Sequence, residues 1–273
     1  MLQSGTEAVT GFDPARDVRI IREPTVYLVG RQVVDAGVLD RFLADHGVTW
    51  QSDTEVAGEY LAETAGRLCY LSYARPRPGG NKAYLDHILE VGHGSVLEHA
   101  VWNFVFTGLS RSCTHELVRH RHLSYSQLSQ RYVDESVAEY VEPDVIASHP
   151  ELHALWLDAV AHAHQAYVKL VEKLAEHYQT EPDKTLRRKL ARQAARSVLP
   201  NATETKIFVT ANARALRHFI EQRASRYADV EIRKLAVQVL QIMQTEAPHL
   251  FSDYQLVPLP DGAFEAITPY RKV

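Results

Sequence analysis

Arg119-His120-Arg121-His122-Leu123-Ser124-Tyr125-Ser126-Gln127-Leu128-Ser129-Gln130-Arg131-Tyr132 gathers three arginines, two histidines, three serines and two glutamines into one unbroken run, with only Leu123 and Leu128 fully apolar. So polar a run does not suit a core element. Guanidiniums this close repel one another unless an anion sits among them, and arginine's planar fork pairs with phosphate oxygens two at a time. The simplest partner is a ligand with one or more phosphates, and the serines, glutamines and histidines suit a polar small molecule beside them. Most charge runs are only solvated faces, so this reading gains its weight from what recurs further along the chain.

Two stretches recur: Ala195-Arg196-Ser197-Val198-Leu199-Pro200, and Asn212-Ala213-Arg214 through His218-Phe219-Ile220 to Arg223-Ala224. With Arg119-His120-Arg121, seven residues, Ser129 and Gln130-Arg131-Tyr132 ahead of them, the three resemble, in order, the signature of the flavin-dependent thymidylate synthases. The resemblance covers about residues 55 to 255. It implies reductive methylation of dUMP to dTMP, with 5,10-methylenetetrahydrofolate as carbon donor and NADPH reducing a bound FAD. It implies a nucleotide site at Glu116, Arg119, Gln127, Leu128, Ser129, Gln130, Arg131, Arg196 and Arg223, with Arg131 and Arg196 on the phosphate. Flavin contacts fall on Ser95, Arg119, His120, Arg121, Gln127, Asn212, Arg214 and His218, and the catalytic residue on Arg223. Many members have Asn-Glu where this chain has Ser126-Gln127. The resemblance also implies a homotetramer whose active sites are shared between subunits.

The chemistry can be weighed on the residues themselves. C5 of uracil is a poor nucleophile until electron density enters the ring. Neither Cys69, in an apolar helical stretch, nor Cys113 lies in a Pro-Cys-Gln context, so a thiolate attacking the ring is not expected. A guanidinium beside the N3–C4 edge favours ionisation at N3 and so enriches C5. No side chain carries a hydride, which calls for a cofactor. Ser129 has no base spaced to activate it and is read as a donor to phosphate. His115-Glu116-Leu117-Val118-Arg119-His120 misses a zinc-protease motif by one residue, which turns the two rings about 140° apart, so no metal site is expected. Two other readings stay open: a flavoprotein acting on another nucleotide-like substrate, and a single-stranded nucleic-acid module stacking bases on Tyr125 and Tyr132.

The 273 residues are 45% hydrophobic and 23% charged, enough for a real core. A formal net charge of -4 makes the arginine run a local feature and argues against a nucleic-acid partner. Two cysteines are too few for a disulfide scaffold, no segment approaches the roughly 18 apolar residues of a membrane helix, and no secretory signal opens the chain, so a cytoplasmic protein is expected.

The elements that must position these residues are expected as follows. Residues 1–17 form a mobile extension and 18–273 a single catalytic domain. Val18–Ile21 and Thr25–Val34 are β-prone, and Val38–His46 is a helix closed by Gly47. A helix from Thr54, its N-cap, to about Tyr73 packs Cys69, and the Pro/Gly segment Arg75–Gly80 breaks it and could gate a ligand. Lys82–Val91 is helical, Val101–Thr107 is a strand, and Ser110–Arg121 is helical. Pro150 opens a long helix with Leu152, Leu155, Ala159, Ala163, Ala166, Leu170 and Leu174 on one stripe. Thr185–Leu199 is a helix whose Lys189, Arg192 and Arg196 form a basic ridge toward water or an anion. After a strand at Lys206–Thr210, Asn212 caps one helix running to about Thr245, with Arg214, His218 and Glu221 on one face. The expected fold is α+β, with long helices on a central, mostly antiparallel sheet.

Overall fold

The computed structural model describes residues 18–75, 78–137 and 139–273. The extension expected over 1–17 lies outside these, as do Pro76 and Arg77 of the expected gating loop. The strands, in chain order, are β1 (Arg19–Ile21), β2 (Thr25–Arg31), β3 (Val101–Ser110), β4 (Ser124–Gln127), β5 (Glu139–Val141), β6 (Glu204–Asn212), β7 (Gln255–Pro258) and β8 (Phe264–Ile267). The helices are α1 (Ala36–Asp45), α2 (Ala57–Tyr70), α3 (Gly80–Glu90), α4 (Arg111–Leu117), α5 (Asp144–Ala147), α6 (Pro150–His177), α7 (Lys184–Ala195), α8 (Ala213–Arg223), α9 (Val230–Glu246) and α10 (Pro248–Phe251). Short 3-10 turns occupy Gly94–His99 and Arg196–Val198. This is the α+β class expected. The described residues divide into two compact units: one of 18–23, 108–112 and 128–205, the other of 24–107, 113–127 and 206–273.

In the first unit β1 and β5 pair in parallel, Ile20 opposite Tyr140. The long helix α6 starts at Pro150 as expected, but its inward face is not the leucine stripe. Val160, Ala161, His164 and Tyr167 are buried, whereas Leu152, Leu155 and Leu170 are exposed. The rotation follows its partners. Val18 and Tyr140 pack on Val160, Ala161, Trp156 and Leu157, and the Tyr140 hydroxyl meets His164 Nδ1 at 2.9 Å, a buried polar pair satisfied only in this orientation. Helix α7 is capped by Asp183, whose carboxylate accepts from the amides of Thr185 and Leu186.

In the second unit the sheet runs β2-β3-β6-β4, with β2–β3 and β4–β6 antiparallel. One face buries Trp102, Phe104, Phe106, Ile207, Val209 and Ala211, alternating along each strand as period-2 geometry requires. Tyr27 lies opposite Val105, and Asn103 donates to Thr210 Oγ1 at 2.8 Å. Tyr27, Val105, Asn103, Thr210 and, by alternation, Phe208 therefore share the other face, where Tyr27 and Phe208 are exposed.

Asn212 is the N-cap expected, its Oδ1 accepting from Ala215 N at 2.8 Å. The helix it opens is two helices, not one. α8 ends at Arg223 and α9 begins after Asp229, whose side chain caps it. The break is held from a distance: Ala266 of β8 donates its amide to the Ala224 carbonyl, and Arg226 pairs with Glu265. The tail from Pro248 forms α10 and the β7–β8 hairpin.

Gly47 closes α1 at φ +68°, as expected. Thr54 does not cap α2; its hydroxyl donates to Glu59 at 2.7 Å and the N-cap is Val56. Glu59 belongs to a buried network in which Glu63 pairs with Arg67 at 2.7 Å and accepts from Ser52 and Asn81. Cys69, expected to be packed, is exposed. Among the described residues no helix is long and apolar enough to cross a membrane.

Candidate active site

In the second unit the break after α8 leaves Arg223 as a helix-terminal residue, its side chain about a quarter exposed. Its Nη1 donates to Glu116 Oε2 at 2.7 Å and its Nε to His120 Nε2 at 2.9 Å. Arg119, His120, Arg121, His218 and Arg223 line one cavity of about 200 Å³ with His122, Leu123 and Gln222. Arg119 and Arg121 are exposed, while His120 is 8% exposed with its ring edge-on to Phe219 at 5.2 Å. Burial, then the charges of Arg223 and His218, push its pKa down to about 4, so the ring is neutral near pH 7.

A larger cavity of about 610 Å³ is lined by Asn212, Arg214 and His218, with Glu98, Glu221, Lys272 and Val273. His218 thus faces both spaces. Arg214, His218 and Glu221 share the α8 face expected of them. Arg214 Nη1 pairs with Glu98 Oε1 at 2.6 Å. Glu221 accepts from Arg271 Nε at 3.2 Å and from the Lys272 amide at 2.9 Å, which straps the tail along the cavity. Gly94 permits the close approach of these parts, since a Cβ there would lie 2.9 Å from Arg214 Nε and 2.8 Å from the Val273 backbone. Ser95 is exposed on the same 3-10 turn, whose Glu98 lines the cavity. Gln127 ends β4, and its amide donates to Thr114 Oγ1 at 3.0 Å.

In the first unit Leu128, Ser129, Gln130 and Arg131 form a turn in which the Ser129 carbonyl accepts from the amides of Tyr132 and Val133. Among the described residues Arg131 Nε is buried without a hydrogen-bond partner. A buried donor left unmade costs about 1–3 kcal/mol, and an anion is the group that relieves it. Arg196 opens the 3-10 turn after α7. The expected ridge divides: Arg192 binds the Tyr132 carbonyl and Asp134, each at 2.7 Å, and Lys189 lies 4.9 Å over the Tyr132 ring. Both hold α7 to the segment after Arg131.

Arg111 was not singled out by sequence spacing. Its Nη2 donates to the Leu128 carbonyl at 2.8 Å, fixing the start of the Ser129 turn. Its pKa is lowered by burial first; the carboxylates of Glu135 and Glu204 pull it back up, and the charge of Arg196 lowers it further, which makes these two guanidiniums neighbours. Nothing in the sequence separates Arg111 from other arginines at helix starts. Cys113 is buried, and burial with the carboxylates of Glu231, Asp229 and Glu116 pushes its thiol far up. That is opposite to what a nucleophilic thiolate needs.

The residues present therefore fit two kinds of ligand. The second unit offers a cavity with arginine, asparagine and histidine at a helix start, suited to a large polar group with anionic parts. The first offers a turn with a buried guanidinium nitrogen suited to a phosphate. The family profile described as "Thymidylate synthase complementing protein" matches residues 53–249. The flavin-dependent thymidylate synthase of Mycobacteroides abscessus is 53% identical over 230 residues, 84% of this chain and 92% of that one. That of Mycolicibacterium gilvum is likewise 53% identical over 230 residues, with the same coverage. Among solved structures, a UMP/dUMP methylase PolB from Streptomyces cacaoi bound with 5-Br dUMP gives a TM-score of 0.64 at 19% identity, covering 86% of this chain and 95% of that one, which is a likeness of fold.

Proposed function

The chain belongs to the family of the flavin-dependent thymidylate synthases, and from that membership we propose that it methylates dUMP to dTMP, taking the carbon from 5,10-methylenetetrahydrofolate and reducing equivalents from NADPH through FAD. The observation that supports this best is the setting of Arg223. Two of its guanidinium nitrogens are engaged by His120 and Glu116, and among the described residues no hydrogen bond involves Nη2. That free edge is the one to meet the uracil N3–C4 edge, where a fixed cation favours ionisation at N3 and enriches C5.

Arg131 and Arg196 hold the phosphate, and the Ser129 hydroxyl adds a donor. Glu116, Arg119, Gln127, Leu128 and Gln130 complete the nucleotide contacts. FAD is held by Asn212, Arg214 and His218 in the larger cavity, with Ser95, Arg119, His120, Arg121 and Gln127 as the remaining flavin contacts the resemblance implies. When bound and reduced, the flavin supplies the hydride that no side chain can. The protein's share is to bind, orient and polarise the pyrimidine.

Residues 18–273 act as one catalytic domain, since neither compact unit is a continuous stretch of chain. The homotetramer with shared active sites is supported by the exposed sheet face with Tyr27 and Phe208, each about half exposed, an apolar surface of the kind subunits cover. Two free cysteines suit a reducing cytoplasm. The test is the visible spectrum of the purified protein. Bound flavin bands that shift with dUMP and not with deoxyuridine are expected. A protein that cannot be reconstituted with FAD, and whose binding to single-stranded nucleic acid falls steeply with salt, overturns the proposal in favour of the nucleic-acid module.

A further inference from the structure

The hydrogen bond between Arg223 and His120 constrains both residues. A guanidinium has donors only and is not deprotonated in proteins. With Nε of Arg223 2.9 Å from Nε2 of His120, the histidine must be the acceptor, so its Nε2 is bare and its one proton sits on Nδ1. The ring has little freedom to leave. It is buried, stands edge-on to Phe219 at 5.2 Å and lies beside His218 at 6.0 Å. Its backbone carbonyl accepts from the Tyr125 hydroxyl and the Leu123 amide, both at 3.1 Å. Glu116, the other partner of Arg223, has a side chain 41% exposed, open to water. The rigid anchor of the guanidinium is therefore the imidazole.

We propose that His120 is a positioning residue for the reaction: its neutral Nε2 fixes the rotation of the Arg223 guanidinium about the Cδ–Nε bond, so that the Nη2 edge faces the pyrimidine. This rests on the reading of Arg223 given above, and it assigns His120 a part beyond the flavin contact that the resemblance implies. The surroundings keep the ring uncharged. Arg223 from α8 is its cationic neighbour and His218 from the same helix faces it, with Arg119, Arg121 and His122 lining the same cavity. An imidazolium would set a second cation against the guanidinium and remove the acceptor.

The test compares His120→Phe, which keeps an edge-on ring without an acceptor, with His120→Gln, whose amide oxygen can accept from Nε. Each is measured as turnover per bound flavin, with the KM for dUMP determined separately. A misplaced catalytic group loses roughly 10- to 100-fold in kcat. That loss is expected per bound flavin in His120→Phe at saturating FAD, with the KM for dUMP close to the parent's and most of kcat restored in His120→Gln. A His120→Phe enzyme with kcat per bound flavin within about 2-fold of the parent, or one cured by excess FAD, overturns the inference. If the Phe variant does not fold, His120→Asn serves in its place: its amide is too short to reach Nε, so turnover equal to that of His120→Gln overturns the inference. Arg223→Ala is assayed alongside. Loss there with none at His120 sinks only the positioning role, whereas full turnover in Arg223→Ala sinks the reading beneath it.

Discussion

Replacing Arg131 with alanine should move stability and binding in different ways, because its guanidinium has one nitrogen buried with no hydrogen-bond partner among the described residues. In the free protein that donor is a liability of about 1–3 kcal/mol, so Arg131→Ala should unfold at a urea concentration equal to or above the parent's. Binding is the opposite case. Truncating one partner of a close charge pair costs about 2–4 kcal/mol, which converts to a roughly 30- to 1000-fold rise in the Kd for dUMP. Deoxyuridine lacks the phosphate and should bind parent and variant equally. Flavin fluorescence titrations with the two ligands, beside urea melts of both proteins, measure these affinities and stabilities. Equal weakening for dUMP and deoxyuridine, or a stability loss with no change in dUMP affinity, would show that Arg131 is structural and does not hold the phosphate.

Removing a preorganised donor from a developing charge typically costs about 10²- to 10³-fold in rate, so Arg223→Ala should lose kcat on that scale while keeping its flavin, as read from absorbance and steady-state turnover. Burial holds the pKa of His120 near 4 in the fold against an ordinary 6.5; the unfolded chain takes the proton first, so this residue's contribution is complete above pH 6.5 and declines as pH falls toward 4. The drop in unfolding free energy between pH 7 and 4.5 should be smaller in His120→Gln than in the parent by about 2–3 kcal/mol, and equal slopes in urea titrations would contradict it. Arg67 is buried between the rings of Trp50 and Tyr84 and paired with Glu63. Arg67→Leu should destabilise by about 3–5 kcal/mol by stranding that carboxylate, and adding Glu63→Gln should recover part of it in the same denaturation assay.

What the sequence made legible was local. Asn212 caps α8, Gly47 closes α1 and Pro150 opens α6 because each acts on its own few residues. The arginine motifs were legible for the same reason: charge density is a property of the chain itself. The rest was set from far away. The break after Arg223 depends on an amide from β8 more than forty residues later. The inward face of α6 is chosen by Tyr140 and Val18, not by its own leucines. Thr54 has the composition of a cap, but Glu59 takes its hydroxyl. Arg111 and Lys272 gain their meaning only from the Leu128 carbonyl and the cavity they meet. The tie between His120 and Arg223 spans 103 positions and has no signature in spacing.

In the proposed reaction a guanidinium, without a cysteine nucleophile, enriches C5 of a nucleotide-bound uracil for methylation. Release of tritium from C5-labelled dUMP by the FAD-loaded protein, with 5,10-methylenetetrahydrofolate and NADPH present, measures this at the reacting atom. Release should track dTMP formation, persist in Cys113→Ser and be lost in Arg223→Ala. No release from an enzyme that oxidises NADPH would contradict it and point to a flavoprotein acting on another nucleotide-like substrate.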